Sequence, residues 1–261
     1  MLLRKVIAGI LLLFPVVACA GLTYDGSSTI GESFMPEITA AFKAKNGIAF
    51  DKIGKIGSGK GFAAVMAGSV DMAGVSRALL PDEKKLKPYY QTIGYDAIAV
   101  FVNEKNAVKD LSSENLVAIF SGTITNWKDV GGKDAKIAIV TEIKAGDRAT
   151  IKAFRELALE NGELAQSKEI DKPIDCVKYV ATDENAITFA SLSFNSSGAR
   201  ALSLDGVAAQ PKNVKTGAYF LSRPLLMVTK TLPQGDVKKF LDFLLSVEGQ
   251  VIVGKSFIPV K

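Results

Sequence analysis

Short apolar runs alternate along this chain with longer stretches whose apolar residues recur every three or four positions. That alternation predicts strands and amphipathic helices in turn, an α/β architecture. "GLTYDGS" reads as a strand, and "MPEITAAFKAKNG" as a helix with Ile38, Ala41 and Phe42 on one face and Gly47 as its stop. "IAFDKIGK" and "DMAGVS" are further strands, with a short helix, "GKGFAAVMAGSV", between them. "GYDAIAVFVN" is a long apolar strand, and "SSENLVAIFSG" a helix opened by Ser112 or Ser113. "AKIAIVTE" is a strand and "RATIKAFRELALEN" a helix. "VKYVATDENAITFAS" suggests strand, short helix and strand. "RPLLMVTK" is a strand, and "GDVKKFLDFLLSVEGQVIV" one closing helix.

The first twenty residues follow a different pattern. Arg4 and Lys5 precede an almost wholly apolar stretch, Val6–Val17, and the small residues Ala18-Cys19-Ala20. This is the layout of a secretory signal, short for a membrane span. Cleavage after Ala20 makes Gly21 the first mature residue, while Val16–Cys19 also reads as a lipoprotein site with Cys19 lipidated. Only Ala20 and Gly21 separate Cys19 from the first strand, too short a tether for a lipid-anchored domain, which favours simple cleavage. No other stretch is long and apolar enough to cross a bilayer.

Composition removes several function classes. Without Arg4 and Lys5 the net charge falls from +5 to +3, too little for a nucleic-acid binder. Of the two cysteines only Cys176 survives cleavage, so the mature chain has no internal disulfide, and a lone cysteine is ordinarily a small buried hydrophobe. The chain contains no histidine. Ser-His-Asp and Cys-His catalysis, histidine-ligated metals and the commonest general base are thereby excluded. No cofactor is expected.

Four turns between strands and helices carry the candidate chemistry, because a helix N-terminus presents unpaired N–H groups and a partial positive charge to an anion. The first, "DGSSTIGES", offers Ser27, Ser28 and Thr29, more hydroxyls than one helix cap needs. The second, "GSGKG", places Ser58 at a helix start among glycines. Gly54–Gly61 lies one residue from a nucleotide phosphate loop. Gly61 stands where the Ser or Thr that binds magnesium is required, so a plain glycine turn or an anion loop remains. The third, "GVSRALL", delivers Ser76 and Arg77 to a strand end, where α/β sheets place ligands. Arg77 is either a surface charge or an anion clamp. The fourth, "TEIKAGDRATIKAF", has Gly146 and Asp147 before a helix, with Asp147 read as its cap. Together these turns suggest oxyanion capture without catalysis.

The chain resembles the phosphate-binding protein family, the extracytoplasmic substrate-binding components of phosphate ABC transporters. The likeness spans the mature chain and is most specific over residues 94–132, where Phe120–Trp127 has the form Phe-Ser-Gly-x-Ile-x-Asn-Trp. Residues 214–230 and 240–253 agree with it. The resemblance implies a type II periplasmic-binding-protein architecture: two α/β domains joined by strands crossing near Tyr95–Val102 and Tyr219–Met227. Domain I would comprise residues 21–98 and 225–261, and domain II residues 99–224. Carried over to this chain, the ligand contacts fall on Ser28, Thr29, the Ile30 backbone, Ser58, Gly59, Ser76 and Arg77.

In the fourth loop, members of that family carry Arg and then Gly-Ser-Gly-Thr. The corresponding positions read here as Lys144-Ala145-Gly146-Asp147 followed by Arg148, with the Ser and Thr hydroxyls lost. Each lost donor to a charged ligand costs roughly 1.5–3 kcal/mol. Lys144 or Arg148 would then compensate, and Asp147 is either a cap or an acceptor for the proton of hydrogen phosphate. The implied function is non-enzymatic: capture of phosphate in an interdomain cleft by a monomeric periplasmic protein, and delivery to an ABC permease. Another oxyanion, a small organic acid, or a sensory or adhesive use of the scaffold are the alternatives.

Overall fold

The computed structural model describes residues 21–145 and 148–260, so the signal reading of residues 1–20 lies outside it. β1 (Leu22–Gly26) sits between two parallel neighbours, β2 (Phe50–Ile53) and β3 (Met72–Val75). Between β1 and β2 run α1 (Ser28–Ser33), a turn of helix the sequence pattern does not foreshadow, and α2 (Met35–Asn46). α2 buries Met35, Ile38 and Phe42 and stops where Gly47 takes φ 72°, the left-handed conformation glycine adopts at least cost. α3 (Ser58–Ala67) presses its first turn onto β1. A methyl group on Gly61 would strike the Gly26 backbone, so glycine at 61 is what allows that approach.

After α4 (Pro81–Lys85) the chain enters β4 (Tyr89–Asn103), a strand of 15 residues that belongs to both halves of the molecule. Its first half pairs antiparallel with β11 (Ser222–Thr229) and with β12 (Ile258–Pro259). Its second half pairs antiparallel with β8 (Ala186–Ser191) and β9 (Ala199–Ala201). β5 (Asp110–Leu111) forms a small separate pair with β10 (Ser203–Leu204), and α5 (Ser113–Ser121) follows it. Ser112 caps α5, its hydroxyl accepting from the Asn115 amide at 3.1 Å. β6 (Ala138–Glu142) leads to α6 (Ala149–Ala158), and then come β7 (Lys168–Ile170), α7 (Pro173–Thr182), β8, and α8 (Pro211–Lys215) before β11. α9 (Gly235–Leu244) and α10 (Val247–Val253) close the chain.

The main sheet runs β2-β1-β3-β11-β4-β8-β6-β7. Two large apolar cores lie along it. One gathers Ile30, Phe42, Ile93, Leu225, Met227 and Phe240; the other gathers Ile98–Val102, Phe120, Phe154, Phe189, Tyr219 and Leu221. β4 leaves one core and enters the other, and the chain crosses back from Leu221 of the second core into β11, whose Leu225 and Met227 belong to the first.

Two expectations are corrected. Residues 177–182 are the end of α7, not a strand: Pro173 opens that helix, and Cys176, Val177 and Val180 share its buried face. The closing helix is two helices, because the Ser246 hydroxyl accepts from the Gly249 amide at 3.2 Å and so starts α10 anew. Cys176 is buried as expected, and burial pushes its thiol up to about 12, which makes it unreactive at neutral pH.

Candidate functional site

The first three loops meet in a buried cluster of hydroxyls. Ser27 Oγ donates to Ser76 Oγ at 2.9 Å, and Ser58 Oγ lies 3.4 Å from the same atom. The Ser76 amide donates to Ser58 Oγ at 3.2 Å. Gly26 makes this possible at φ 140°: its carbonyl accepts from the Gly57 amide at 2.8 Å, and a side chain there would strike Gly74. β1, β2 and β3 are parallel, so their C-terminal ends deliver all three loops to one edge of the sheet, as this class of sheet requires.

Opposite this cluster stands the start of α6. A pocket of about 10 Å³ is lined by Ser27, Ser28, Thr29, Gly57, Ser58 and Ser76 on one side and by Glu142, Arg148, Ala149 and Thr150 on the other. A neighbouring cleft of about 360 Å³ shares Ser28 and Arg148 with it and carries Lys55, Lys60 and Lys172 on its walls, with Glu32 and Asp171. Arg148 occupies the N-cap position of α6 and bonds exposed Asp171 at 2.7 Å.

The predicted residues divide. Ser28, Thr29, Ser58, Ser76 and Arg148 line the inner pocket, and Ala145 lines only the outer cleft. Ser58 is not a cap; Gly57 holds that position, and the Ser58 hydroxyl is turned to Ser76. The Ile30 amide donates to Ser27 Oγ at 3.3 Å and is committed to capping α1. Gly59 follows Ser58 in the first turn of α3 and lines neither cavity. Arg77 is buried away from the pocket lining, with its terminal nitrogens 2.7 and 2.8 Å from the Glu83 carboxylate and a further bond to the Ala78 carbonyl. That fork-to-fork pair is a structural use of the guanidinium. Gly146 and Asp147 lie outside the described residues.

The expected loss of hydroxyls from the fourth loop is also corrected. Thr150, second residue of α6, is buried and faces the pocket, since the first turn of a helix points its side chains back over the preceding loop. Thr150→Val keeps the shape and removes the hydroxyl. It is expected to weaken anion binding by at least about 1.5 kcal/mol, roughly tenfold, in calorimetric titration. An unchanged affinity would remove Thr150 from the site.

Behind the pocket lies an ion pair that local sequence pattern does not reveal. Arg223 on β11 and Asp96 on β4 are both buried, with Nε and Nη2 3.0 and 2.8 Å from Asp96 Oδ2. The same guanidinium donates to Thr150 Oγ1 at 3.0 Å and to Thr29 Oγ1 at 3.3 Å, one on each wall of the pocket. Burial pushes the Asp96 carboxyl up, while Arg223 and the Ser191 hydroxyl, 2.6 Å away, pull it down. From Ser191 the hydroxyls continue to Ser193 at 2.7 Å and to Ser33 at 2.9 Å, again crossing between walls. Glu142, last residue of β6, is buried, and desolvation pushes its carboxyl up to about 7 against the pull of Arg148 and Arg223. Among the described residues no group of His, Cys, Asp and Glu is arranged to hold a metal ion.

Fold and site together define a two-lobed α/β anion clamp with a hydroxyl-lined pocket between its walls. A family model described as the PBP superfamily domain matches residues 17–248. The phosphate-binding protein PstS of Bacillus subtilis is 32% identical over 254 residues, covering 93% of this chain and 82% of that one. A structure from Clostridium perfringens, described as a phosphate ABC transporter substrate-binding protein with bound phosphate, superposes with a TM-score of 0.85 at 34% identity, over 92% of this chain and 100% of that one. An ABC-type phosphate transport receptor from Vibrio cholerae superposes with a TM-score of 0.76 at 25% identity, over 92% of this chain and 99% of that one. The chain belongs to the PBP superfamily and, within it, to the phosphate-binding substrate-binding proteins, with their type II periplasmic-binding fold.

Proposed function

We propose that this chain captures inorganic phosphate outside the cytoplasm and delivers it to an ABC permease. The observation that carries the reading is the inner pocket: Ser27, Ser28, Thr29, Ser58 and Ser76 face Arg148 and Thr150 around a space the size of a small ion. Hydroxyls, a helix start and a guanidinium make a donor set suited to a tetrahedral oxyanion. The contacts proposed are the side chains of Ser28, Thr29, Ser58, Ser76, Arg148 and Thr150.

At about 10 Å³ the pocket admits little more than one water-sized sphere, so the ion enters by a small parting of the walls. β4, which passes between the two cores, and the segment from Leu221 into β11, which returns between them, are the proposed hinge, with the domains dividing near residues 98 and 225. Lys55, Lys60 and Lys172 on the outer cleft draw anions inward and hasten capture at low salt. A monomer handing its ligand to a membrane partner is the proposed working state. The proposed role is binding and not turnover.

Calorimetric titration of the mature protein from Gly21 with phosphate tests the reading. Saturable binding at micromolar phosphate is the expected result. No heat at those concentrations, with a folded protein by circular dichroism, overturns it.

A further inference from the structure

The hydroxyl chain that leaves the Asp96 carboxylate runs in one direction, and its protons fix which. Ser191 donates its single hydroxyl proton to Asp96 Oδ1 at 2.6 Å. The 2.7 Å bond between Ser191 and Ser193 is therefore donated by Ser193, because two oxygens that close with no proton between them repel. Ser193 has no second proton, so Ser33 donates the 2.9 Å bond between Ser193 and Ser33. The order is Ser33 to Ser193 to Ser191 to Asp96, and the carboxylate at its end polarises every bond along it. Asp96 Oδ2 meanwhile holds Arg223, so one side chain anchors both this chain and the ion pair behind the pocket.

The bond between Ser33 and Ser193 joins the two lobes without involving either hinge strand. Ser33 is the last residue of α1, three places after Ile30 and one before Phe34, which both pack in the first core. Ser193 lies in a single turn of 3₁₀ helix, Leu192–Phe194, whose Phe194 packs in the second core. Each end is held by its own lobe. The Ser33 carbonyl accepts from Ser256 Oγ at 3.1 Å, and the Ser193 amide donates to Ser191 Oγ at 3.2 Å. Neither Ser33 nor Ser193 lines the inner pocket or the outer cleft, so neither acts on a ligand by contact.

We infer that Ser33 and Ser193 form a latch between the lobes that sets how fast a bound anion leaves the pocket, with Asp96 orienting the latch through Ser191. The inference rests on the phosphate reading of the pocket and adds to it a pair of positioning residues outside the donor set. A pocket of about 10 Å³ releases its ion only when the walls part. Parting them pulls Ser33 from Ser193, so their bond adds to the barrier for release. The same bond is already broken in the parted form that phosphate first meets, which leaves the rate of capture alone.

The test is a rapid-mixing chase, in which radiolabelled phosphate bound to the mature protein from Gly21 is displaced by excess unlabelled phosphate. Ser33→Ala and Ser193→Ala are each expected to speed release by about threefold to tenfold, as loss of one hydrogen bond requires. Association should stay within about twofold of native. The double variant should release no faster than Ser193→Ala alone, because both substitutions remove the same bond; a general loosening of α1 and of the 3₁₀ turn would make the two effects multiply. Ser33→Thr, which keeps the hydroxyl, should release at the native rate. Native release in both single variants, a loss of affinity carried by association, or a double variant whose effect is the product of the singles overturns the latch and leaves the phosphate reading standing. A native protein that retains no phosphate removes both. Both serines are half-buried and each is tested on its own, so the decision does not hang on one variant folding.

Discussion

Replacing Arg223 with methionine is expected to destabilise the protein by about 3–5 kcal/mol, because it strands the Asp96 carboxylate in the interior. Both partners are 1% exposed, so water cannot solvate the survivor. In a chain of this size that loss lowers the melting temperature by roughly 10 °C. Ordinary buried ion pairs contribute little net stability, because desolvating two charges offsets their attraction. The cost therefore comes from breaking the pair, and Arg223→Met with Asp96→Asn should recover part of it. Urea unfolding of the single and double variants measures this. A single-variant loss below about 1 kcal/mol would show that the pair is dispensable. The same variant also frees Thr29 and Thr150, which Arg223 steadies from behind, so phosphate affinity should fall with stability.

Stability should also depend on pH through Glu142. An unfolded glutamate ionises near pH 4.3, and Glu142 in the fold near 7. The folded state therefore holds a proton that the unfolded state has released over that interval. The group's contribution is fully present below about pH 4 and is lost as pH rises through 7. Between pH 5 and pH 8 the unliganded protein is expected to lose about 2–3 kcal/mol through this group. Glu142→Gln removes that slope and leaves every other titration in place. Urea midpoints of the two proteins across the range should converge at low pH and separate at high pH, with the variant the more stable. Parallel curves would mean that Glu142 stays ionised in the fold.

The elements with clear local signals were legible in the chain. α2 has its apolar face and Gly47 stop, α5 its serine cap, and the glycine- and serine-rich turns after β1, β2 and β3 stand where the pocket is. The misread segments had competing signals. "VKYVAT" is rich in β-branched residues, and the helix start at Pro173 with the buried face of Cys176, Val177 and Val180 carries it into helix. The site residues missed were those whose role depends on distant partners. Asp96 and Arg223 are 127 positions apart, and neither makes sense without the other. Each did leave a trace, a charge inside an apolar strand: "YDAIAVFV" for one and "SRPLLMV" for the other. Glu142, at the C-terminal end of "IAIVTE", stood where a parallel strand delivers a side chain to the ligand edge. Arg77 shows the opposite error, since a cation near serine-rich turns found its anion in Glu83, six residues along its own chain.

The place of β11 in the sheet also governs the order in which the molecule assembles. β11 lies between β3 and β4, yet it is made more than a hundred residues after them. Until residue 229 has been synthesised, the first lobe is a sheet with a gap at its centre, and Ile93, Met72 and Phe42 lack Leu225, Met227 and Phe240 to pack against. The second lobe, contained between the two crossings, is expected to close on itself first and the lobe encoded first to become native last, an order that pulsed hydrogen exchange during refolding would read.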